Sequence, residues 1–200
     1  MTKPEFIAPH TGFPSFYKAP IVDMEGIEEG MAVVAGVPMD HGVVLTRTGT
    51  RYGPRAIREA SLFYRSVQEA GFEKTSVNAD TGVAMRLKER LSLVDIGDFT
   101  IYPQDLKKTS ESVSDGVHQV LRRGGFPVLL GGDLYLTYPA FEGFARAMAE
   151  RIDSVRLGHV HIDSHTDFRD QYAGLGKYNH GTSVRRISEN SVIEYKNMAW

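Results

Sequence analysis

The sequence predicts an α/β fold, a mainly parallel sheet covered by helices. Three observations carry this. Short continuous apolar runs recur, segments of helical spacing lie between them, and the polar clusters fall just after the runs. Strands that alternate with helices form βαβ units, and their crossovers place helices on the sheet's faces. In such sheets ligands bind beyond the C-terminal ends of the strands, where the loops converge.

Residues 1–30 carry Pro9, Gly12, Pro14, Phe16, Tyr17 and Pro20 without clear periodicity. They read as an extended arm that packs on the body or on a neighbouring subunit, since aromatics are uncommon in disordered tails. A single domain is expected over 31–200. Met31 to Pro38 is a short apolar run stopped by Gly and Pro, the pattern of a strand buried on both faces. A Gly-rich loop leads to Gly53-Pro-Arg-Ala-Ile-Arg-Glu-Ala60, where Pro54 suits the first turn of a helix. Leu91 to Asp98 reads as a second strand with an acidic end. Ser110 to Arg123 has apolar residues at Val113, Val117, Val120 and Leu121, a helical spacing stopped by Gly124-Gly125. Phe126 to Leu130 is a third strand, running into Gly131-Gly132-Asp133. A helix follows from Leu136 or Pro139 to about Glu150, then a fourth strand from Val155 to Ile162. Asn179-His180-Gly181-Thr182 reads as a capped turn entering a helix over 183–189. Met198-Ala-Trp200 enters a fifth strand.

Composition narrows the function class. The net charge of −2, from 23 basic and 25 acidic residues, gives no electrostatic reason to expect nucleic acid or an anionic membrane as partner. With no cysteine, neither a disulfide framework nor a thiolate metal site is available. The N-terminus lacks the basic start and apolar stretch of a signal peptide. No apolar run approaches the roughly 20 residues that span a bilayer. A soluble cytoplasmic protein is expected.

The strongest chemical signal is His161-Ile-Asp163-Ser-His165-Thr-Asp167. On an extended strand side chains alternate, so Asp163 and His165 are expected to share a face, with Asp167 following from the loop. Carboxylates with imidazoles suit Mn, Zn, Fe, Co or Ni, whereas calcium prefers all-oxygen sites and soft metals want sulfur. One Asp or His at a strand end is more often a cap. Four within seven positions outweigh that reading, because burying them without purpose is costly. The other clusters are weaker alone. Gly131-Gly132-Asp133 fits a tight turn, and Arg51, Arg55 and Arg58 fit a structural loop and helix start with surface arginines better than a phosphate site.

In order along the chain, these pieces resemble the ureohydrolases, the agmatinase and arginase family, and most of all the agmatinase branch. The resemblance runs through Pro14-Ser-Phe-Tyr-Lys-Ala-Pro20, Val34-Ala-Gly-Val-Pro38, Gly49-x-Arg-x-Gly-Pro-Arg-Ala-Ile-Arg58, Asp95-Ile-Gly-Asp98, Gly131-Gly-Asp133, His161-x-Asp-Ser-His-x-Asp167 and His180-Gly-Thr182. It implies a three-layer α/β/α domain and hydrolysis of a guanidinium C–N bond in a small guanidino substrate, with release of urea or a related product. It further implies a pair of divalent metals, manganese first and nickel second. Carried over position by position, Asp163 bridges the metals, Asp167 completes the first metal's set, His165 binds the second, and His180 carries protons or contacts substrate. Trimers or hexamers, of this chain or with a paralogue, are the implied assemblies.

Two departures stand out. Where the family pattern reads Gly-Gly-Asp-His, with that histidine on the first metal, this chain has Leu134, which has no donor atom. The family's later Asp-x-Asp motif, which supplies further ligands, does not occur within these 200 residues. Late strands lie between early ones in the family's sheet, so a gap with bare strand edges is expected here. Against an active hydrolase, the departures set a degenerate subunit that supports an active paralogue, or a binding module without turnover.

Overall fold

The computed structural model describes residues 12–41, 48–69, 76–77, 80–82, 84–85 and 92–200. The first eleven residues of the expected arm, part of the Gly-rich loop and the first residue of the expected second strand, Leu91, lie outside them.

The apolar runs form the parallel strands β1 (Ala32–Val37), β4 (Leu93–Asp98) and β5 (Phe126–Gly131), in the order β4-β1-β5. Two residues each, β2 (Ser76–Val77) and β3 (Ala84–Met85) make a small antiparallel pair that the pattern does not announce. The helices are α1 (Gly53–Glu69), α2 (Leu106–Arg122), α3 (Thr137–Ala149) and α4 (Ser183–Ser188). A separate parallel pair, β6 (Leu157–Val160) and β7 (Ile193–Ala199), lies further along the chain. The fifth strand therefore starts at Ile193 and is nearly over at Met198. Helix α2 starts four residues before the expected Ser110, because Asp105 caps it by accepting the Lys108 N–H at 2.9 Å.

Both faces of β1 are covered, as its unbroken apolar run requires. Val33, Ala35 and Val37 face α2 and pack in cores with Val113, Val117, Val120 and Leu121. The opposite face belongs to α1. A Cβ on Gly36 would lie 2.9 Å from the Arg58 guanidinium and collide with Asp98. Helix, sheet and helix are thus three layers. Tyr138 of α3 touches both the main core and a second core, in which Phe141 and Ala145 meet Val184, Ile187, Ile193 and Met198.

Arg58 is buried, which corrects its expected place among surface arginines. It holds Asp95 with two bonds of 2.8 and 2.9 Å and Asp98 with one of 2.6 Å. Asp95 also accepts the Phe16 N–H at 2.9 Å, and its backbone pairs with Pro20 and Val22. The described part of the arm is therefore fastened to the body at the same carboxylate. Arg51 pairs with buried Asp40, and exposed Arg55 pairs with Glu59 one turn away. These arginines serve the fold.

The gap expected between strands is present. Among the described residues strands β5 and β6 do not pair, and each has a neighbour on one edge only. Between them a cavity of about 220 Å³ is lined by Pro127 and Leu129 of β5, Phe141 and Phe144 of α3, Val117 and His159. Val160 and Ile162, next to it along the chain, are 73% and 94% exposed.

Replacing Arg58 by Ala leaves Asp95 charged and buried without its cation, so unfolding in urea is expected to show a loss of about 3–5 kcal/mol. Arg55→Ala, which breaks an exposed pair, is expected to change stability by no more than about 0.5 kcal/mol.

Candidate metal centre

Three polar motifs stand at strand ends, and the structure assigns two of them to the fold. Asp95 and Asp98 are held by Arg58. Asp133 caps the 3₁₀ turn Leu134–Leu136 by accepting the Tyr135 N–H at 2.9 Å. A Cβ on Gly132 would come within 2.4 Å of the Val37 carbonyl oxygen and 2.5 Å of that of Met39, so the turn needs glycine there. The third motif remains.

His161 directly follows β6, and its N–H bonds the Ala199 carbonyl at 2.9 Å, which extends the pairing with β7 by one residue. His159 and His161 lie on the same face of the strand, their rings stacked with centroids 5.9 Å apart. Beyond His161 the extended geometry ends. Asp163 Oδ1 accepts the backbone N–H of His165 at 3.0 Å, folding the chain into a turn. The alternation expected to put Asp163 and His165 on one face therefore stops short of them. The His165 side chain is 80% exposed, with Nδ1 3.6 Å from Asp163 Oδ1.

Asp167 adopts a left-handed backbone conformation, φ +46°, which aspartate tolerates better than most residues. Its carbonyl accepts the Arg185 N–H of α4 at 3.3 Å. The side chain turns inward, placing Oδ2 3.2 Å from His161 Nε2. One donor atom each from His161, Asp163 and Asp167 lies within 4.8 Å of the others, and this is the three-residue group among the described residues that could hold an ion.

Burial and the charge of Asp163 push the Asp167 carboxyl above its ordinary range, while the turn's backbone N–H draws Asp163 below it. Burial also lowers the pKa of His159, which favours a neutral ring behind His161. Despite their proximity, His161 Nε2 and Asp167 Oδ2 are both buried without a hydrogen bond. Buried polar atoms without a hydrogen bond are uncommon in folded proteins, and these two stand within the group that could hold an ion. A divalent cation fits the donors: two carboxylates and an imidazole, with no sulfur.

Asn179, as expected, caps the turn that carries His180. Its side chain accepts the Gly181 N–H at 3.2 Å, and its own N–H bonds Thr182 Oγ1 at 3.1 Å. His180 stacks on Tyr172 with ring centroids 6.0 Å apart, and a Cβ on Gly181 would strike the Tyr172 ring. His165, Asp167, Phe168, Arg169, Tyr172 and His180 line one cleft of about 320 Å³. The structure thus brings all but Asp163 of the expected site residues to one cleft, with Asp163 in the adjoining ion group. It adds His161, whose place on the strand face was legible in the alternation from His159. The wall formed by Phe168, Arg169 and Tyr172 has no signature in the sequence.

The Arginase family model matches residues 31–200. Guanidino acid hydrolase of Homo sapiens is 31% identical over 96% of this chain and 49% of its own length. Agmatinase of Gallus gallus is 32% identical over 95% and 49%. Among solved structures, proclavaminate amidino hydrolase from Streptomyces clavuligerus superposes with a TM-score of 0.73 at 28% identity, over 95% of this chain and 56% of that one. Trypanosoma cruzi formiminoglutamase, solved with Mn²⁺, does so with 0.64 at 27%, over 90% and 57%. The chain spans about half the length of the curated relatives it matches.

With its folded pKa raised, Asp167 keeps its proton to higher pH in the folded chain than in the unfolded one. Its favourable share of stability holds below the ordinary value of 3.8 and is lost as pH climbs through the raised value. At neutral pH in chelator, Asp167→Asn is therefore expected to raise the melting temperature, by about 2–4 °C if roughly 1 kcal/mol is relieved. The same variant is expected to lose the stabilisation that Mn²⁺ gives the unaltered chain. A lower melting temperature in chelator would mean that Asp167 has a protein partner.

Proposed function

The chain belongs to the arginase family, and from that premise we propose that it is, or forms part of, a metal-dependent amidinohydrolase that cleaves the guanidinium C–N bond of a linear guanidino compound. The observation that carries the reading is the orphaned pair His161 Nε2 and Asp167 Oδ2, beside Asp163 and opening on a cleft. Relatives named for guanidino substrates and a neighbour solved with Mn²⁺ support the same reading. We take manganese as the preferred ion and nickel as the second.

In this reading Asp163 and Asp167 would hold the metal, and His165 at the cleft wall would serve a second ion. Bound divalent metal supplies hydroxide at neutral pH by lowering the pKa of its water. The planar guanidinium lies in the cleft, whose wall carries the Tyr172 and Phe168 rings. His180, held rigid by its capped turn and by Tyr172, hands a proton to the leaving amine, a role suited to an imidazole near neutral pH. A cytoplasmic setting and a multimeric assembly belong to the same proposal. No helix among the described residues is long and apolar enough to cross a membrane.

Leu134 favours a second reading. Without a donor there, a subunit that has lost turnover and supports an active paralogue, or acts as a binding or assembly partner, keeps the fold and loses the chemistry.

Urea release from agmatine, guanidinobutyrate, guanidine and arginine, each with Mn²⁺ and with Ni²⁺, separates the two. The hydrolase reading expects release from at least one substrate, and His180→Ala is expected to lower kcat by about 10²-fold or more. The degenerate reading expects none until Leu134→His restores it. Silence from the unaltered protein with metal bound would sink the hydrolase reading, and silence from metal-bound Leu134→His as well would count against the degenerate one.

A further inference from the structure

We infer that His161, and not the second histidine of the motif, is the nitrogen ligand of the first metal ion to bind. The inference deepens the metal-centre reading above and rests on it.

The two histidines of the motif differ in every respect that matters for a ligand. The His161 side chain is 6% exposed and is fixed by a backbone bond to β7 and by the stacked, half-buried ring of His159. Its Nε2 is buried and without a hydrogen bond, 3.2 Å from an Asp167 oxygen in the same condition. The imidazole nitrogen and the carboxylate oxygen beside it are the two donor atoms that an ion there would meet. His165 stands outside this group. Its side chain is 80% exposed, and its Nδ1 lies 3.1 Å from Ser164 Oγ, on a turn set by Asp163.

Preorganisation decides between them. Bringing His165 onto an ion between Asp163 and Asp167 requires its exposed side chain to be immobilised. His161 is already immobile, and an ion there removes two orphaned atoms at once. The 3₁₀ turn Leu134–Leu136 packs against the turn that carries His180 and brings only leucine and tyrosine side chains. The strand-borne histidine then supplies the nitrogen that Leu134 does not. Its ion ties β6 to the Asp167 loop and, through the Arg185 N–H, to α4.

The test uses Mn²⁺ alone, at one equivalent per chain, with pulsed EPR reading ¹⁴N coupling and calorimetry reading affinity. The unaltered chain is expected to show coupling to one imidazole nitrogen. His161→Gln is expected to lose that coupling and to bind Mn²⁺ at least about tenfold more weakly. His165→Gln is expected to retain the coupling for this first equivalent. If His165→Gln abolishes it, the inference falls whether or not His161→Gln folds, and the metal centre survives with the other histidine. If the unaltered chain binds no Mn²⁺, the inference falls together with the metal-centre reading.

Discussion

A carboxylate removed from water must meet a positive charge or enough hydrogen-bond donors, and this constraint organises the molecule. Four aspartates are buried among the described residues. Asp95 meets Arg58 and the backbone N–H groups of Phe16 and Gly97. Asp40 meets Arg51 and the Gly49 N–H, and Asp133 caps its turn. Asp167 alone of the four keeps a buried oxygen with no hydrogen bond. The same rule that makes the first three structural singles out the fourth as the candidate ligand of the proposed metal centre. Its neighbour Asp163 makes the position worse by repulsion, which His161 offsets only in part.

Parallel topology explains why the exception sits where it does. Each strand of the sheet releases its C-terminal loop on the same rim, so acidic strand ends collect there regardless of purpose. Sorting them needs the partner of each. Asp95-Ile-Gly-Asp98 resembles a ligand rim in sequence and is occupied by an arginine from 37 residues upstream. Among the described residues the Asp163 turn has no such cation, and the arginines nearest in sequence are otherwise engaged: Arg156 pairs with Glu194 and Arg169 lies over Tyr172.

Much of the fold was legible because burial on both faces writes a continuous apolar run, as in Ala32–Val37, and burial on one side writes the spacing Val113, Val117, Val120. Helix starts were less so. Asp105 caps α2 from a segment of mixed polarity that shows no periodicity, and the two-residue strands β2 and β3 are too short to carry any. In the site, residue identities were readable and directions were not. Whether His165 faces the ion depends on one turn, the Asp163 Oδ1 to His165 N–H bond, and any strand-end aspartate can either continue or close the strand. Arg58 shows the converse. An arginine on a helix with polar neighbours looks solvent-facing, and only its meeting with Asp95 across the layer buries it.

The open slot between β5 and β6 bears on the metal centre through the same strand. β6 carries both: its free edge borders the slot, and its C-terminal end carries His161. Its pairing with β7 shifts register between Leu157 and His159, so few ladder bonds hold it. A four-residue strand with one neighbour is a weak support for a ligand that must stay within tenths of an ångström of its place. His159 packs edge-on against Phe141 of α3 at 6.4 Å, lines the slot, and stacks on His161 from behind. In the proposed reading an ion on His161 would steady the strand whose free edge borders the slot.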